Sequence, residues 1–177
     1  HMRRPDPLVP RNLRIGIPER LAADGEVLKP LDEEAVAAAA LLLRSEGVES
    51  LAIGFLHSYR HAHHEEAAAD VVRSVWPEVP LTLSSDVCPE IREYERFSTA
   101  CANAYVQPLM RRYLLDLEAR RRDSGMQCPM FLMQSGGGLG TLADALEHPV
   151  RLIESGPAGG ALLAAEIARD LVASTAL

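Results

Sequence analysis

Short strands alternating with helices around a mainly parallel sheet, an α/β fold with helices on both faces, is the architecture these 177 residues predict. Three observations carry that reading. Apolar stretches of strand length alternate with segments of helical periodicity. The connections between them are short and punctuated by glycine and proline. One stretch, "VESLAIGFL", is largely apolar, as strands buried on both faces of a parallel sheet are. Right-handed crossovers would then place the helices on both faces.

Taken in order, "LRIGIPERL" reads as a short strand turning at "ADGE". "LDEEAVAAAALLLRSEG" is a helix, with Asp32 as N-cap, Glu33 and Glu34 in the first turn, and Gly47 closing it. Its buried stripe is Val36, Ala39, Ala40 and Leu43. The strand "VESLAIGFL" follows, and a second helix runs from His63 to Trp76, stopped by Pro77. "VPLTLSS" is a strand. A long helix spans Glu93 to Arg122, with Phe97, Cys101, Tyr105, Leu109, Tyr113 and Leu117 at four-residue spacing, and Pro108 expected to bend or split it. "CPMFLMQS" is a strand, "GGGLG" a turn, and "TLADALEH" a short helix. "VRLIES" is the last strand, and Pro157 to Ala173 the last helix.

Composition narrows the function classes. A net charge of −7 argues against nucleic acid or an acidic membrane as partner, and the triple Arg120, Arg121, Arg122 reads as the solvated end of a helix. No apolar run approaches the roughly 18 residues that span a bilayer. Cys88, Cys101 and Cys128 lack paired spacing and read as reduced thiols of a cytoplasmic protein. His1 and Met2 read as a scar of tag removal, and the chain as a piece of something longer.

Three segments follow predicted strands, where open α/β sheets collect ligands. "HSYRHAHHEE" holds His57, His61, His63, His64, Glu65 and Glu66, metal-ligand types, yet adjacent side chains diverge there, so an exposed loop and helix start is the preferred reading. "MQSGGGLG" lacks the lysine and hydroxyl of a phosphate loop; its glycines allow close ligand approach or simply a sharp turn. "ESGPAGG" opens a helix, so it suits either an anion at the helix start or close helix-on-sheet packing. It lacks the spacing of a hydrolase elbow, which makes Ser155 a poor nucleophile. In "REYER", Arg92, Glu93 and Arg96 stand at spacings that suit local ion pairs.

"FLHSY", "HEE", "LSSDVCPEIREYERFSTACANAYVQPLM", "FLMQSGGGL" and "PVRLIESGPAGG" occur in an order that resembles the hydantoinase A/5-oxoprolinase family, which includes ATP-using subunits of acetone and acetophenone carboxylases. One departure is Gly136, where the family usually has Asn. The resemblance implies an actin-like ATPase lobe with a ribonuclease-H-like sheet. It divides the chain into residues 1–2 as scar, 3–90 as the end of the family's N-terminal region and 91–177 as the start of its ATPase region. It implies ATP with magnesium, a B-type partner subunit, and a small cyclic amide such as hydantoin or 5-oxoproline, or else a ketone to be carboxylated. A non-catalytic subunit-interaction module is the alternative for this piece alone. Phosphate hairpins like "DVGGTFTD" and "DMGGTSTD" are not in this sequence, so the piece alone is expected to be inactive and to hold no cofactor. Ser135, Gly137 and Gly138 would border the cleft, and Glu154 and Ser155 would reach toward metal-bound phosphates. Gly156, Gly159 and Gly160 would pack a connecting helix at the hinge between lobes. Open sheet edges would allow a homodimer.

Overall fold

The computed structural model describes residues 7–170; the scar assigned to residues 1–2 and the end of the last helix lie outside them. The chain divides at Pro108 into two compact units.

In the first unit a 3-10 turn at Arg11–Leu13 precedes β1 (Arg20–Leu21), which pairs antiparallel with β2 (Val27–Lys29). The expected strand over "LRIGIPERL" is thus reduced to its last two residues, because only these find a partner. The turn at "ADGE" is present, with Gly25 at φ +96°. A side chain there would be strained and would also meet the His61 ring, 2.7 Å from the position a Cβ would take.

Helix α1 (Glu33–Ser45) begins where expected: the Asp32 carboxylate accepts the Ala35 N–H at 2.9 Å. Val36 and Ala40 are buried, and Ala39 and Leu43 half-buried, along the predicted stripe. Strand β3 (Leu51–Ile53) pairs in parallel with β4 (Leu81–Leu83), and α2 (His63–Val75) is the crossover that parallel pairing needs. Val36, Ala40, Leu51, Ala68, Val72 and Trp76 form the core of this unit. A one-turn helix not expected from the sequence, α3 (Ser84–Val87), follows β4 directly.

Helix α4 (Glu93–Asp123) runs unbroken through Pro108, against the expected split. Proline cannot donate to the carbonyl four residues back. That carbonyl, Ala104 C=O, instead accepts the Ser50 hydroxyl at 2.5 Å. The buried face of α4 also differs from the expected one. It carries Arg96, Ala100, Asn103, Ala104, Gln107, Leu114 and Glu118, while Tyr105, Leu109 and Tyr113 are exposed. A four-residue step overshoots a helical turn by about 40°, so the sequence from Phe97 to Leu117 winds about 200° around the axis and cannot stay on one face.

The second unit adds β5 (Phe131–Met133) and β6 (Leu139–Thr141), an antiparallel hairpin, then α5 (Leu142–Glu147) and α6 (Ser155–Asp170). Thr141 and Asp144 cap α5 reciprocally. "VRLIES" is not a strand: Pro149–Leu152 is a 3-10 turn. Pro149 occupies its first position, and β5 and β6 already pair with each other.

The architecture is α/β with three two-stranded sheets. One pair is parallel; the other two are antiparallel, so the mainly parallel sheet of the sequence reading is not what forms among the described residues. The connections β1–β2 and β5–β6 are too short for a crossover and permit only hairpins. No described helix is long and apolar enough to cross a membrane.

Candidate functional site

Both glycine-rich segments belong to the second unit, and the structure brings them together. The Ser135 N–H donates to Arg151 C=O at 2.7 Å, which ties the turn after β5 to the segment leading into α6. The turn itself closes through Gln134 N–H to Gly138 C=O (2.8 Å) and Gly137 N–H to Gln134 C=O (2.9 Å). Gly137 has φ +83°, a conformation that favours glycine. Leu162 of α6 lies 3.7 Å from where a Gly137 Cβ would stand.

Glu154 is exposed and turns the chain with φ +59°; Ser155 begins α6, whose first turn carries no acidic residue. That leaves the positive end of the helix without an internal counter-charge. Of the three helix glycines, only Gly159 has a neighbour: a Cβ there would sit 3.6 Å from Met133 Cγ, an ordinary contact. Gly156 and Gly160 face open space, and α6 buries none of its residues. Ser135, Gly136 and Gly138 are exposed. The arrangement is a rim lined by backbone, with the Arg151 carbonyl bonded to it.

Elsewhere in this unit, Arg121 does more than solvate a helix end. It hydrogen-bonds Glu118 through two nitrogens (2.7 and 2.9 Å) and donates to Met126 C=O and Cys128 C=O, closing the C-terminus of α4. Arg122 adds a bond to Glu118 at 2.8 Å. The hydrogen bond from Arg121, then that from Arg122, holds the Glu118 carboxyl at about 2, below the usual value of about 4.3. A depressed folded-state value contributes stability that is present above the unfolded value and lost as pH falls through the folded one. Thermal unfolding of the chain is therefore expected to weaken between about pH 5 and pH 2, and Glu118→Gln to flatten that acid limb. An identical limb in the variant would remove Glu118 from the account.

In the first unit the His/Glu segment starts α2 at His63 as expected, but it is not exposed throughout. His64 and Glu65 are buried, whereas His63 and Glu66 are exposed. His64 Nδ1 pairs with Glu19 Oε2 at 2.8 Å. Glu65 accepts four bonds: from Phe55 N–H (2.9 Å), the Ser84 hydroxyl (2.6 Å), Ser85 N–H (2.9 Å) and the Ser85 hydroxyl (2.8 Å). Four donors satisfy a buried carboxylate without a metal. Among the described residues no group of three or more His, Cys, Asp or Glu side chains could hold one.

Arg96, fully buried, completes the cluster. It donates to Ser84 Oγ (3.1 Å), Glu90 C=O (2.7 Å) and Phe55 C=O (2.8 Å), between the rings of Phe97 and Tyr59. The expected local pairs are the lesser part of its role: Glu93 lies 4.0 Å away, and Arg92 pairs with Glu95 at 3.5 Å. Sequence reasoning missed this cluster because Phe55, Glu65, Ser84 and Arg96 lie far apart in the chain. Burial pushes the Cys101 thiol up, away from the thiolate a nucleophile needs.

These two clusters define an α/β protein with a glycine-lined rim on a helix start in one unit and a buried charge clamp in the other. The chain belongs to the hydantoinase/oxoprolinase family: the family's N-terminal region matches residues 2–76 and its hydantoinase/oxoprolinase region matches residues 96–176. It is similar to the caprolactamase subunit alpha of Pseudomonas jessenii, 42% identical over 151 residues, which are 85% of this chain and 22% of the relative. The crystal structure of the ATP-dependent caprolactamase of that organism matches with TM-score 0.82 and 40% identity, over 89% of this chain and 23% of the other. The nucleotide-free structure of acetone carboxylase, described with ATP-dependent acetone carboxylation, matches with TM-score 0.84 and 28% identity, over 96% and 24%. The chain thus spans about a quarter of the length of the relatives it matches.

Proposed function

We propose that this chain is part of an ATP-dependent hydrolase that opens cyclic amides of the hydantoin, 5-oxoproline or lactam type. The observation that carries this reading is the 42% identity to a lactam-opening enzyme's subunit across most of the chain. A resonance-stabilised amide is a poor electrophile. ATP would pass its terminal phosphoryl group to the amide oxygen, releasing ADP; one water would add to the carbon, the C–N bond would break to leave a carboxyl phosphate, and a second water would hydrolyse that to carboxylate and phosphate, with magnesium offsetting phosphate charge. The α/β units would belong to an actin-like ATPase lobe in a cytoplasmic protein.

In that reading Ser135, Gly137 and Gly138 border the cleft, and Glu154 and Ser155 face the metal-bound phosphates. Helix α6 connects lobes, with Gly156, Gly159 and Gly160 at the hinge. The segments 134–140 and 154–160 carry neither lysine nor aspartate, so they supply an edge to the nucleotide site and not its phosphate grip. A B-type subunit or domain is the proposed partner, and pairing of open sheet edges the proposed route to a homodimer. The ketone carboxylase reading stands second, favoured by the close fold match to acetone carboxylase.

The test is phosphate release from Mg-ATP by the whole protein with its partner, comparing hydantoin, 5-oxoproline, caprolactam, and a ketone with bicarbonate. Stimulation by a cyclic amide supports the hydrolase; stimulation by the ketone alone transfers the protein to the carboxylases. The 177-residue chain is expected to release none. Gly159→Ala should be tolerated, since a methyl group meets Met133 at ordinary contact distance. Gly159→Val, with two further branches, should lower turnover of the whole protein about tenfold or more if one helix contact is misplaced. Unchanged turnover in the valine variant would sink the hinge assignment.

A further inference from the structure

Side chains alternate between the two faces of a strand, and in the β5–β6 hairpin Met133 stands opposite Leu139. Phe131, Met133 and Leu139 therefore share one face. Helix α6 lies on that face: a Cβ at Gly159 would sit 3.6 Å from Met133 Cγ, and Leu162 comes within 3.7 Å of the Cβ position of Gly137. The cover is partial. Leu139 is 66% exposed, and Phe131 is more exposed than buried. On α6 itself Leu163 is 62% exposed, and Ile167, one helical turn further on, is exposed with it.

Such a surface is not that of a finished domain. A two-stranded hairpin is marginal in water unless its apolar face is covered, and α6 buries none of its residues. Monomeric proteins rarely leave a large contiguous apolar patch in water. Composition and length together select the occupant. Interfaces between separately stable proteins are about as polar as the rest of the surface, whereas permanent packing resembles a core cut in half. Phe131, Leu139, Leu162, Leu163 and Ile167 offer no polar side-chain atom, and the nearby Glu166 and Arg169 pair with each other at 2.8 Å. The chain spans about a quarter of the length of the relatives it matches, so most of such a protein lies outside these residues.

We infer that the open face of β5–β6 and α6 is one half of a hydrophobic core whose other half comes from the same polypeptide, outside these 177 residues. The covering segment is apolar. It packs on Phe131 and Leu139 of the hairpin and on Leu163 and Ile167 of the helix. The inference rests on the family assignment and needs neither the hydrolase reading nor the hinge assignment of α6, so it stands or falls separately from both.

Hydroxyl-radical footprinting of the whole protein, read by mass spectrometry at Phe131, Leu139, Leu163 and Ile167, tests this without any substitution. Each residue is normalised to the same peptide after digestion, and Leu114, fully buried in this unit, is the benchmark for a core position. The expected result is loss of reactivity to the level of Leu114 in the whole protein without its partner, at every protein concentration. Protection that grows with protein concentration assigns the face to a second copy, and protection that appears only on adding the partner assigns it to that subunit. Either outcome overturns the inference, as does reactivity retained throughout. Leu139→Ser gives a second reading. A face closed by the same polypeptide predicts a lower unfolding midpoint for the whole protein alone, and an unchanged midpoint overturns the inference. Absence of amide-stimulated phosphate release, which ends the hydrolase reading, leaves these reactivities as they are.

Discussion

Replacing Arg96 by leucine is expected to cost the chain about 3–5 kcal/mol, the usual consequence of breaking a buried charged network by removing one partner. The guanidinium is fully buried and satisfies Phe55 C=O and Glu90 C=O directly. Its third bond, to Ser84 Oγ, links it to the Glu65 carboxylate on the other side of that hydroxyl. Without Arg96, two carbonyls lose a donor and a buried carboxylate loses the nearby positive charge that offsets its desolvation. Guanidinium unfolding of the chain measures the loss. Since a domain's whole stability is about 5–15 kcal/mol, a loss of this size should also be visible as partial unfolding at elevated temperature. Arg96→Lys should recover only part, because an ammonium cannot reproduce the planar fork. A cost below about 1 kcal/mol, the range of an exposed pair, would mean that the cluster is not the closed network described.

Trp76→Ala is expected to cost a similar 3–5 kcal/mol by a different route, the loss of buried apolar surface and the cavity left behind. Trp76 is 6% exposed and joins Val36 and Ala40 of α1, Leu51 of β3, and Ala68 and Val72 of α2 in one cluster. Its backbone N–H, which either variant keeps, closes α2 on Val72 C=O at 2.8 Å. Two of these neighbours, Ala40 and Ala68, are alanines, which cannot lean in to fill the space. Trp76→Phe keeps most of the ring volume and should cost about 1.5 kcal/mol or less. Equal losses in the two variants, read from the same unfolding experiment, would show that the site collapses freely and that the indole is not its packing centre.

Comparison of these two sites shows where local sequence was sufficient. The helix carrying Val36 and Ala40 was legible from Asp32, the acidic first turn and the apolar spacing, and α2 from its stop before Pro77. Both rest on interactions within a few residues. The Arg96 cluster joins β3, α2, α3 and the start of α4, and no spacing along the chain announces it. On α4 the local rule misled: apolar residues at every fourth position suggested a buried stripe, yet Tyr105, Leu109 and Tyr113 are exposed. The glycine-rich rim was legible as two separate segments; that Ser135 is bonded to Arg151 was not.

The sequence by itself determined the α/β class, the bounds of α1, α2 and α4, the family, and the two glycine-rich segments as places of interest. Caps, periodicity and turn chemistry act between near neighbours, so a linear reading can weigh them. Tertiary structure alone decided which strands pair, why α4 passes through Pro108, and that Glu65 and Arg96 are buried. A strand of three residues has too little local preference to choose its partner, and "VRLIES" stayed out of a sheet because β5 and β6 had paired already. A buried charge is set by donors that arrive from distant segments, such as Ser84 and Ser85 at Glu65, and these are present only once the chain has folded.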